Sequence, residues 1–564
     1  MDFLISPTEV GQIAIIKLFF YLFVILGLVL FFKLKKPVLF VSLVSIFLVA
    51  SYLSLIWGAQ LTWWGLQGDE IFVTAFLEKV ASGQFFSDFF YSSLPPFYPP
   101  LYFWLIGGLA FLFNFNGVLA AQLGVAFVLL ITPFLVYWWQ KLFWRNLGRE
   151  KIDNWSLVLT AALIFVVLDW TAVILKPYEF LAAVLVIFWT AFLLQEIHFK
   201  TLDLKKVIFY SISGGLLFLL FYFWFFFVVL AIALFKLFTE LDYKYYLSRL
   251  GIIAAAIILI SLPYSLPLAI SYLRWGTENW QPAFFIVSDL NLYLPFFQFS
   301  IFGLMSLAGL LTLIFYWPKP YVKALASIFI SIYLWQAANL VTTLFFQAPF
   351  LAAKPFIFLG GAVLSISAGY GISQIIKEKI KNQKFLAGLF VAGWIILATQ
   401  LLGGNFIDDP KVQEQLVRMK QPLREEFVNL IFQLKPVSGI EDLTILSGAS
   451  PEISAFVSLN YYVSYNAHFS HPAANFTQRY LFINQLALSR NSADFYQKLK
   501  QAPFQKIDGL LFLKGPGFYP LYFWLDDYIY GGREEEVRIP ADLLTEQYFA
   551  KVFEDEHFVF YRVK

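Results

Sequence analysis

Asp69 and Glu70 stand side by side in Gly68-Asp69-Glu70, after a long apolar stretch and ahead of another. Adjacent carboxylates at the edge of lipid are expensive, so a chain that keeps them there has a use for them. A carboxylate at a half-desolvated membrane edge can take the proton of an attacking hydroxyl as the new bond forms. Asp69 is the candidate general base, and Glu70 is the second catalytic candidate, in a supporting role. The pair also suits the first turn of a helix, where the macrodipole favours acids. Both readings can hold together.

The same stretch carries Asp88, then Pro95-Pro96-Phe97-Tyr98-Pro99-Pro100. Proline fixes φ and removes a donor, so two pairs make a stiff elbow, with Tyr98 placed to line a pocket beside the acids. Three further bases, Lys176, Arg274 and Lys354, each sit beside an apolar run on the side that otherwise avoids bases. Snorkelling explains each of them singly; a lipid-linked phosphate at headgroup depth would also need such partners. Glu179 is either a partner of Lys176 or a further contact for donor or acceptor. His468 and His471 form an H-x-x-H pair in a polar region. Without a third ligand they point to a structural or acceptor-contacting role more than to a metal. No cofactor is certain, and a divalent cation beside the acids is left open. No phosphate-cradling glycine loop, dinucleotide fingerprint or H-E-x-x-H motif is present, and nothing calls for nucleic acid.

These residues have to be held by membrane helices. Of the 564 residues 60% are hydrophobic and only 14% charged, against about 25% charged in soluble domains. There is no cysteine, so neither disulfides nor thiol chemistry enter. Taking ~20 apolar residues per span, the chain reads as about twelve spans. They begin with Ile13–Phe32 and Val38–Trp57 and include Leu157–Leu175, a hairpin in Val207–Phe238, Pro295–Trp317 and Phe385–Leu402. Leu101–Phe113 is too short to cross and reads as an interfacial or re-entrant helix. With that, each turn assigned to the cytoplasm is basic, among them Lys33 to Lys36, Lys200 to Lys206 and Lys377 to Lys384. The 58–117 loop, carrying the acids, is then extracytoplasmic. The first apolar run is expected to be a retained span and not a cleaved leader.

Composition shifts after Gly403-Gly404. Residues 1–403 are expected to form the transmembrane part and 404–564 an extracytoplasmic α/β domain. Val412–Leu434 and Phe476–Leu499 read as helices, and Leu443–Leu446, Gly509–Leu513 and Phe558–Val563 as strands. The aromatic run Phe518, Tyr519, Tyr522, Phe523, Trp524, Tyr528 and Tyr530 is either a sugar-stacking surface or core.

A first external loop with an acid after the span, then proline pairs and an aromatic helix, resembles the GT-C superfamily of polyprenyl-phosphate-dependent glycosyltransferases. Asp88-Phe89-Phe90-Tyr91, Leu94-Pro95-Pro96-Phe97-Tyr98-Pro99-Pro100 and Trp104 are similar to the AftA-type galactan arabinofuranosyltransferases. So are Tyr465-Asn466-Ala467-His468-Phe469-Ser470-His471-Pro472, Ala502-Pro503-Phe504 and Ile507-Asp508-Gly509-Leu510-Leu511. The resemblance implies a multi-pass enzyme of the bacterial plasma membrane with its active site outside. It implies inverting transfer of a pentose, arabinofuranose in that family, from a polyprenyl-phosphate donor to a hydroxyl of a cell-wall or surface polysaccharide. Asp69 falls on the family's catalytic acid position. The alternative from another class is a transporter or flippase of lipid-linked saccharides. That would want ionisable residues at mid-span, and these spans are nearly free of them. A glycan-binding scaffold would leave the acids only a capping role.

Overall fold

A computed structural model describes residues 7–34, 36–147, 154–167, 170–240, 243–278, 290–347, 349–379, 383–402, 410–449, 451–527 and 531–564. Asp169, Asp289, Tyr528 and Tyr530 lie outside the described residues. The helices that concern the site are, in chain order, α1 (Pro7–Val29), α2 (Pro37–Leu55), α3 (Asp69–Ala81), α4 (Leu101–Phe113), α5 (Gly117–Leu147), α6 (Asn154–Val167), α7 (Trp170–Leu175), α8 (Pro177–His198), α9 (Leu204–Phe221), α10 (Trp224–Phe238) and α11 (Tyr243–Trp275). They continue as α12 (Ile301–Phe315), α13 (Pro320–Phe346), α14 (Gly361–Lys379), α15 (Gln383–Leu402), α16 (Pro410–Lys420), α17 (Glu425–Leu434), α18 (Phe476–Ala487) and α19 (Ser492–Lys500). Eight described helices are long and apolar enough to cross a membrane, and five more apolar helices are shorter, Leu101–Phe113 among them. The chain is a polytopic α-helical membrane protein with a C-terminal α/β region.

The described residues pack as two compact units, each discontinuous in sequence. The first comprises Met1–Ala59, Leu123–Ser261 and Val287–Lys420. Its centre is α8, which is buried on every side from Pro177 to Ile197, as a helix apolar all round must be. Pro177 opens it, where a missing N–H costs nothing. The expected hairpin is α9 and α10, joined through Tyr222 and Phe223 and started by Asp203, whose side chain accepts from the Lys206 amide. Packed in the same unit, α13 lies on α8 and α10, and α14 lies on α12 and α6. Two expected spans differ in detail. Leu157–Leu175 is assigned as two helices, α6 and α7, with residues 168–169 between them outside the described set. Pro295–Trp317 starts with a 3-10 turn, and the α-helix begins only at Ile301, because Ser300 caps it by accepting from the Gly303 amide.

The second unit comprises Gln60–Gln122, Leu262–Ile286 and Gln421–Lys564. Its mixed five-stranded sheet runs β2 (Asn460–Tyr461), β1 (Thr444–Ser447), β3 (Gly509–Leu513), β7 (Phe558–Val563), β6 (Phe549–Glu554). β1 is parallel to both β2 and β3, and β7 is antiparallel to β3 and β6. Gly509 to Phe512 of the central strand are all buried, which is why a continuous apolar run marks it. β4 (Phe518–Asp527) and β5 (Gly531–Pro540) form a separate hairpin. Two expected helices are divided. Val412–Leu434 breaks between α16 and α17 at Pro422, which removes an amide and turns the residue before it away from helix. Phe476–Leu499 breaks into α18 and α19, because Asn491 is extended and caps a new helix through the Asp494 amide.

Candidate functional site

The acids open α3. The chain reverses into it through positive φ at Gly65, Leu66 and Gly68, so the first turn begins abruptly and both carboxylates lie in it. They are treated very differently by the fold. Asp69 is half-buried. Glu70 is buried, and its Oε2 accepts from Thr62 Oγ1 at 2.6 Å and from the Trp64 amide at 2.7 Å. Burial pushes the Glu70 carboxyl up to about 7 against those hydrogen bonds. Glu70 therefore pins the preceding loop, while its neighbour keeps access to solvent. Tyr98 stacks on Phe72 at 4.3 Å between centroids, one turn along α3 from the acids. The proline elbow is thus seated on the helix that carries the candidate base.

The far end of α3 is anchored by ionisable side chains, one half-buried and the others wholly buried. Glu78 accepts from the Gly117 amide at 2.8 Å, and burial raises its carboxyl to about 7. Lys79 is wholly buried and donates to the Leu459 carbonyl at 3.1 Å and to Asn460 Oδ1. Burial lowers its ammonium to about 7 against the pull of Asp88 and Asp442. Asp88 is itself wholly buried and accepts from the amides of Phe90 and Tyr91 at 3.0 and 3.2 Å. It shapes the loop and does not present its carboxylate outward.

The same loop is stitched to the C-terminal residues of its unit. Tyr91 Oη lies 2.8 Å from Ser470 Oγ and accepts from the Ser464 amide at 3.0 Å. The Tyr461 amide donates to the Phe90 carbonyl at 2.7 Å. Arg479, 2% exposed, donates to the carbonyls of Ala474 and Tyr462 at 2.6 Å each, with the rings of Tyr91, Tyr462 and Phe504 about its guanidinium. His471 is 1% exposed; its Nδ1 accepts from the Ala473 amide at 3.0 Å, and its ring lies by Phe97 and Tyr272. Burial depresses it to about 3, so it is neutral. His468 is half-buried nearby, edge-on to Phe469 at 5.2 Å.

Asp69, Glu70, Asp88, Tyr98, Arg274, His468 and His471 therefore belong to one compact unit, and Lys176, Glu179 and Lys354 to the other. Arg274 is exposed, its guanidinium 4.6 Å from the Trp275 ring centroid. Lys176 is half-buried and immediately precedes α8. Lys354 is not the isolated base its sequence suggests. Its Nζ pairs with Glu179 Oε1 at 2.6 Å, above the Phe221 ring, and the Glu179 carboxylate is fully buried. The same unit contains a cavity of about 370 Å³ with Tyr293, Gln298, Ser306, Phe356 and Leu364 on its walls. Among the described residues no three His, Asp or Glu side chains converge as metal ligands would.

Sequence reasoning passed over Lys79 and Arg479. A signal existed for both. Phe72, Phe76, Lys79 and Val80 fall on one helical face, and so do Phe476, Arg479 and Ile483. A base on an otherwise apolar stripe is a buried base with a partner. What cannot be read locally is the partner, since Asn460 lies 381 residues from Lys79.

The family described as "Arabinofuranosyltransferase N terminal" matches residues 4–385. A galactan 5-O-arabinofuranosyltransferase of Mycobacterium leprae (strain TN) is 26% identical over 333 residues, covering 53% of this chain and 50% of that protein. The chain thus spans about half the length of this curated relative. Among solved structures, ArnT from Cupriavidus metallidurans bound to undecaprenyl phosphate aligns with a TM-score of 0.48 at 12% identity, over 92% of this chain and 97% of that one. The R1389S mutant of the mycobacterial arabinofuranosyltransferase AftD aligns with a TM-score of 0.42 at 12% identity, over 83% and 36%.

Proposed function

The chain belongs to the arabinofuranosyltransferase family whose N-terminal region it matches over residues 4–385, and from that premise we propose that it is a membrane glycosyltransferase. It moves a pentose, arabinofuranose by analogy with the galactan-modifying relative, from a polyprenyl-phosphate donor to a hydroxyl of a cell-wall or surface polysaccharide. The matched region includes the acids. Residues 1–403 supply the membrane part, and the loop and residues 404–564 face the extracytoplasmic side of a bacterial plasma membrane.

The observation that carries the reading is the unequal burial of two adjacent carboxylates: Glu70 is buried, and Asp69 is half-buried in the first turn of α3. In this mechanism Asp69 accepts the proton of the acceptor hydroxyl as its oxygen attacks the anomeric carbon from the face opposite the phosphate. The C–O bond to phosphate breaks, the anomeric configuration inverts, and polyprenyl phosphate leaves as an anion. Glu70 fixes the loop that frames Asp69. Lys354, held by Glu179, and Lys176 are candidates for the donor phosphate, and Arg274 for donor or acceptor. The cavity near Phe356 suits part of an uncharged isoprenoid chain, since its walls carry no charged side chain.

The test is turnover by purified protein of a panel of polyprenyl-phosphate sugars, with release of polyprenyl phosphate as the readout. Release from a pentose donor only when an acceptor glycan is present is the expected result. Turnover of none, under conditions where the protein is folded, removes the enzyme reading.

A further inference from the structure

The hairpin of β4 and β5 has two faces with opposite characters. On the inner face Tyr519, Leu521 and Phe523 join Val537 and Ile539 in the core of the unit. The outer face carries Tyr522 and Trp524, 43% and 42% exposed, directly opposite Glu536 and Glu534. Two residues apart on a strand, the rings are about 7 Å apart along it. The inner face accounts for the stability of the hairpin. Large exposed rings set in pairs need a different reason.

Trp524 is seated by design of its neighbour. A Cβ at Gly532, on the facing strand, would fall inside the indole. The indole therefore packs against the bare backbone of β5 at Gly532. The exposed part of the indole is an apolar surface that suits the C–H face of a sugar. The exposed carboxylates of Glu534 and Glu536 accept hydroxyl hydrogen bonds. Glu536 is steadied by Arg538 at 2.8 Å, and Arg538 in turn lies over Phe518. An aromatic pair bordered by acids is poorly suited to an anionic membrane surface, which recruits bases.

The platform is also continuous with the candidate site. The Trp524 amide donates to the Tyr465 carbonyl at 2.7 Å, and the Trp524 carbonyl accepts from Ala467 at 3.2 Å. That segment leads to Phe469, whose ring is 6.0 Å from Phe72 on α3.

We infer that the outer face of the β4–β5 hairpin is a binding site for a neutral polysaccharide, with Trp524 and Tyr522 stacking on sugar rings and Glu534 and Glu536 accepting their hydroxyls. This rests on the transferase reading for the identity of the polymer as acceptor, but binding itself requires no donor.

The experiment is affinity electrophoresis of the full-length protein in detergent, through gels containing neutral arabinogalactan or dextran or no polymer. Wild-type protein is expected to be retarded by a neutral polymer. W524A/Y522A should lose on the order of tenfold or more in apparent affinity, about 1.4 kcal/mol, while W524F keeps most of it. Because the double variant touches a cross-strand contact, Y522A alone serves as a second probe at an exposed position and should lose severalfold. Retardation unchanged in both variants, no retardation of wild type by either polymer, or capture of wild type only by phosphatidylglycerol vesicles each overturns the inference. A protein that binds polymer and turns over no donor fails the transferase reading alone; one that turns over donor and ignores both polymers fails this one alone.

Discussion

Glu70 takes two hydrogen bonds from the loop before α3, so that loop ends on a carboxylate that water does not reach. Replacing it with alanine leaves the Thr62 hydroxyl and the Trp64 amide without their acceptor, at about 1–3 kcal/mol for each orphaned group. E70A is therefore expected to melt several degrees below wild type and to lose transfer through disorder of the Asp69 turn, measurable by thermal unfolding in detergent. The pH dependence has a definite sign. With its folded pKa near 7 and an ordinary value of 4.5, Glu70 holds a proton in the folded state that the unfolded chain releases. Its contribution is complete below about 4.5 and is lost as pH rises through about 7. Burial of Glu78 and Asp88 acts in the same direction; the lowered ammonium of Lys79 acts in the opposite one, against folding as pH falls from 10.5 towards 7. Hydrogen exchange at Ile71 to Thr74, corrected for intrinsic rate, should show less protection at pH 8 than at pH 5.5, with a shallower difference in E70Q. An identical pH response in E70Q and wild type would remove Glu70 as the titrating group. The adjacency of the two acids is plain in the sequence, and so is their place at a helix start. Which of them is sealed is not, because Thr62 and Trp64 reach Glu70 only after the Gly65 and Gly68 reversal.

Among the elements, α3 is held at its far end by neighbours that the sequence does not bring near. Gly117 starts α5 against the Thr74 carbonyl, closer than any Cβ could stand, and donates its amide to Glu78. G117A forces the two helices apart and is expected to cost about 1–3 kcal/mol, as overpacking does; limited proteolysis between α4 and α5 should accelerate. The Glu179–Lys354 pair predicts a non-additive cycle. Breaking a buried pair by removing one partner costs about 3–5 kcal/mol, while replacing both with apolar residues is often neutral. E179Q and K354M should each destabilise, and E179L/K354M should recover most of the loss. Additive losses would show that the two side chains do not depend on each other. Strands β3 and β7 were legible to the residue, because buried apolar runs between turn signals leave little choice. The breaks at Pro422 and Asn491 carry local signals too, a proline and a capping asparagine. The β4–β5 hairpin was visible only as an aromatic run, since its alternation mixes core and surface residues of the same type.

For the whole molecule, the alternation of basic turns and apolar runs predicts a sidedness, and the chain has no cysteine to confuse its measurement. Single cysteines at Thr201, between α8 and α9, and at Ser492, at the start of α19, should report opposite sides. S492C should react with an impermeant maleimide in intact cells, and T201C only after permeabilisation; the reverse pattern would invert the scheme. Compactness reveals something that linear reading does not. The first loop, with its acids, packs with the C-terminal region in one unit, through Tyr91, Ser470, Arg479 and Lys79. The motif pieces that resemble one family at both ends of the chain are thus pieces of one unit. The central claim is that Asp69 is the base for transfer from a lipid-linked pentose. Its most direct test is the rate of polyprenyl phosphate release by D69N, at saturating donor and acceptor, with thermal unfolding measured in parallel. Turnover by D69N is expected to fall by about 10²–10⁴, the usual worth of a general base, at an unchanged melting temperature. Wild-type turnover by folded D69N would contradict it.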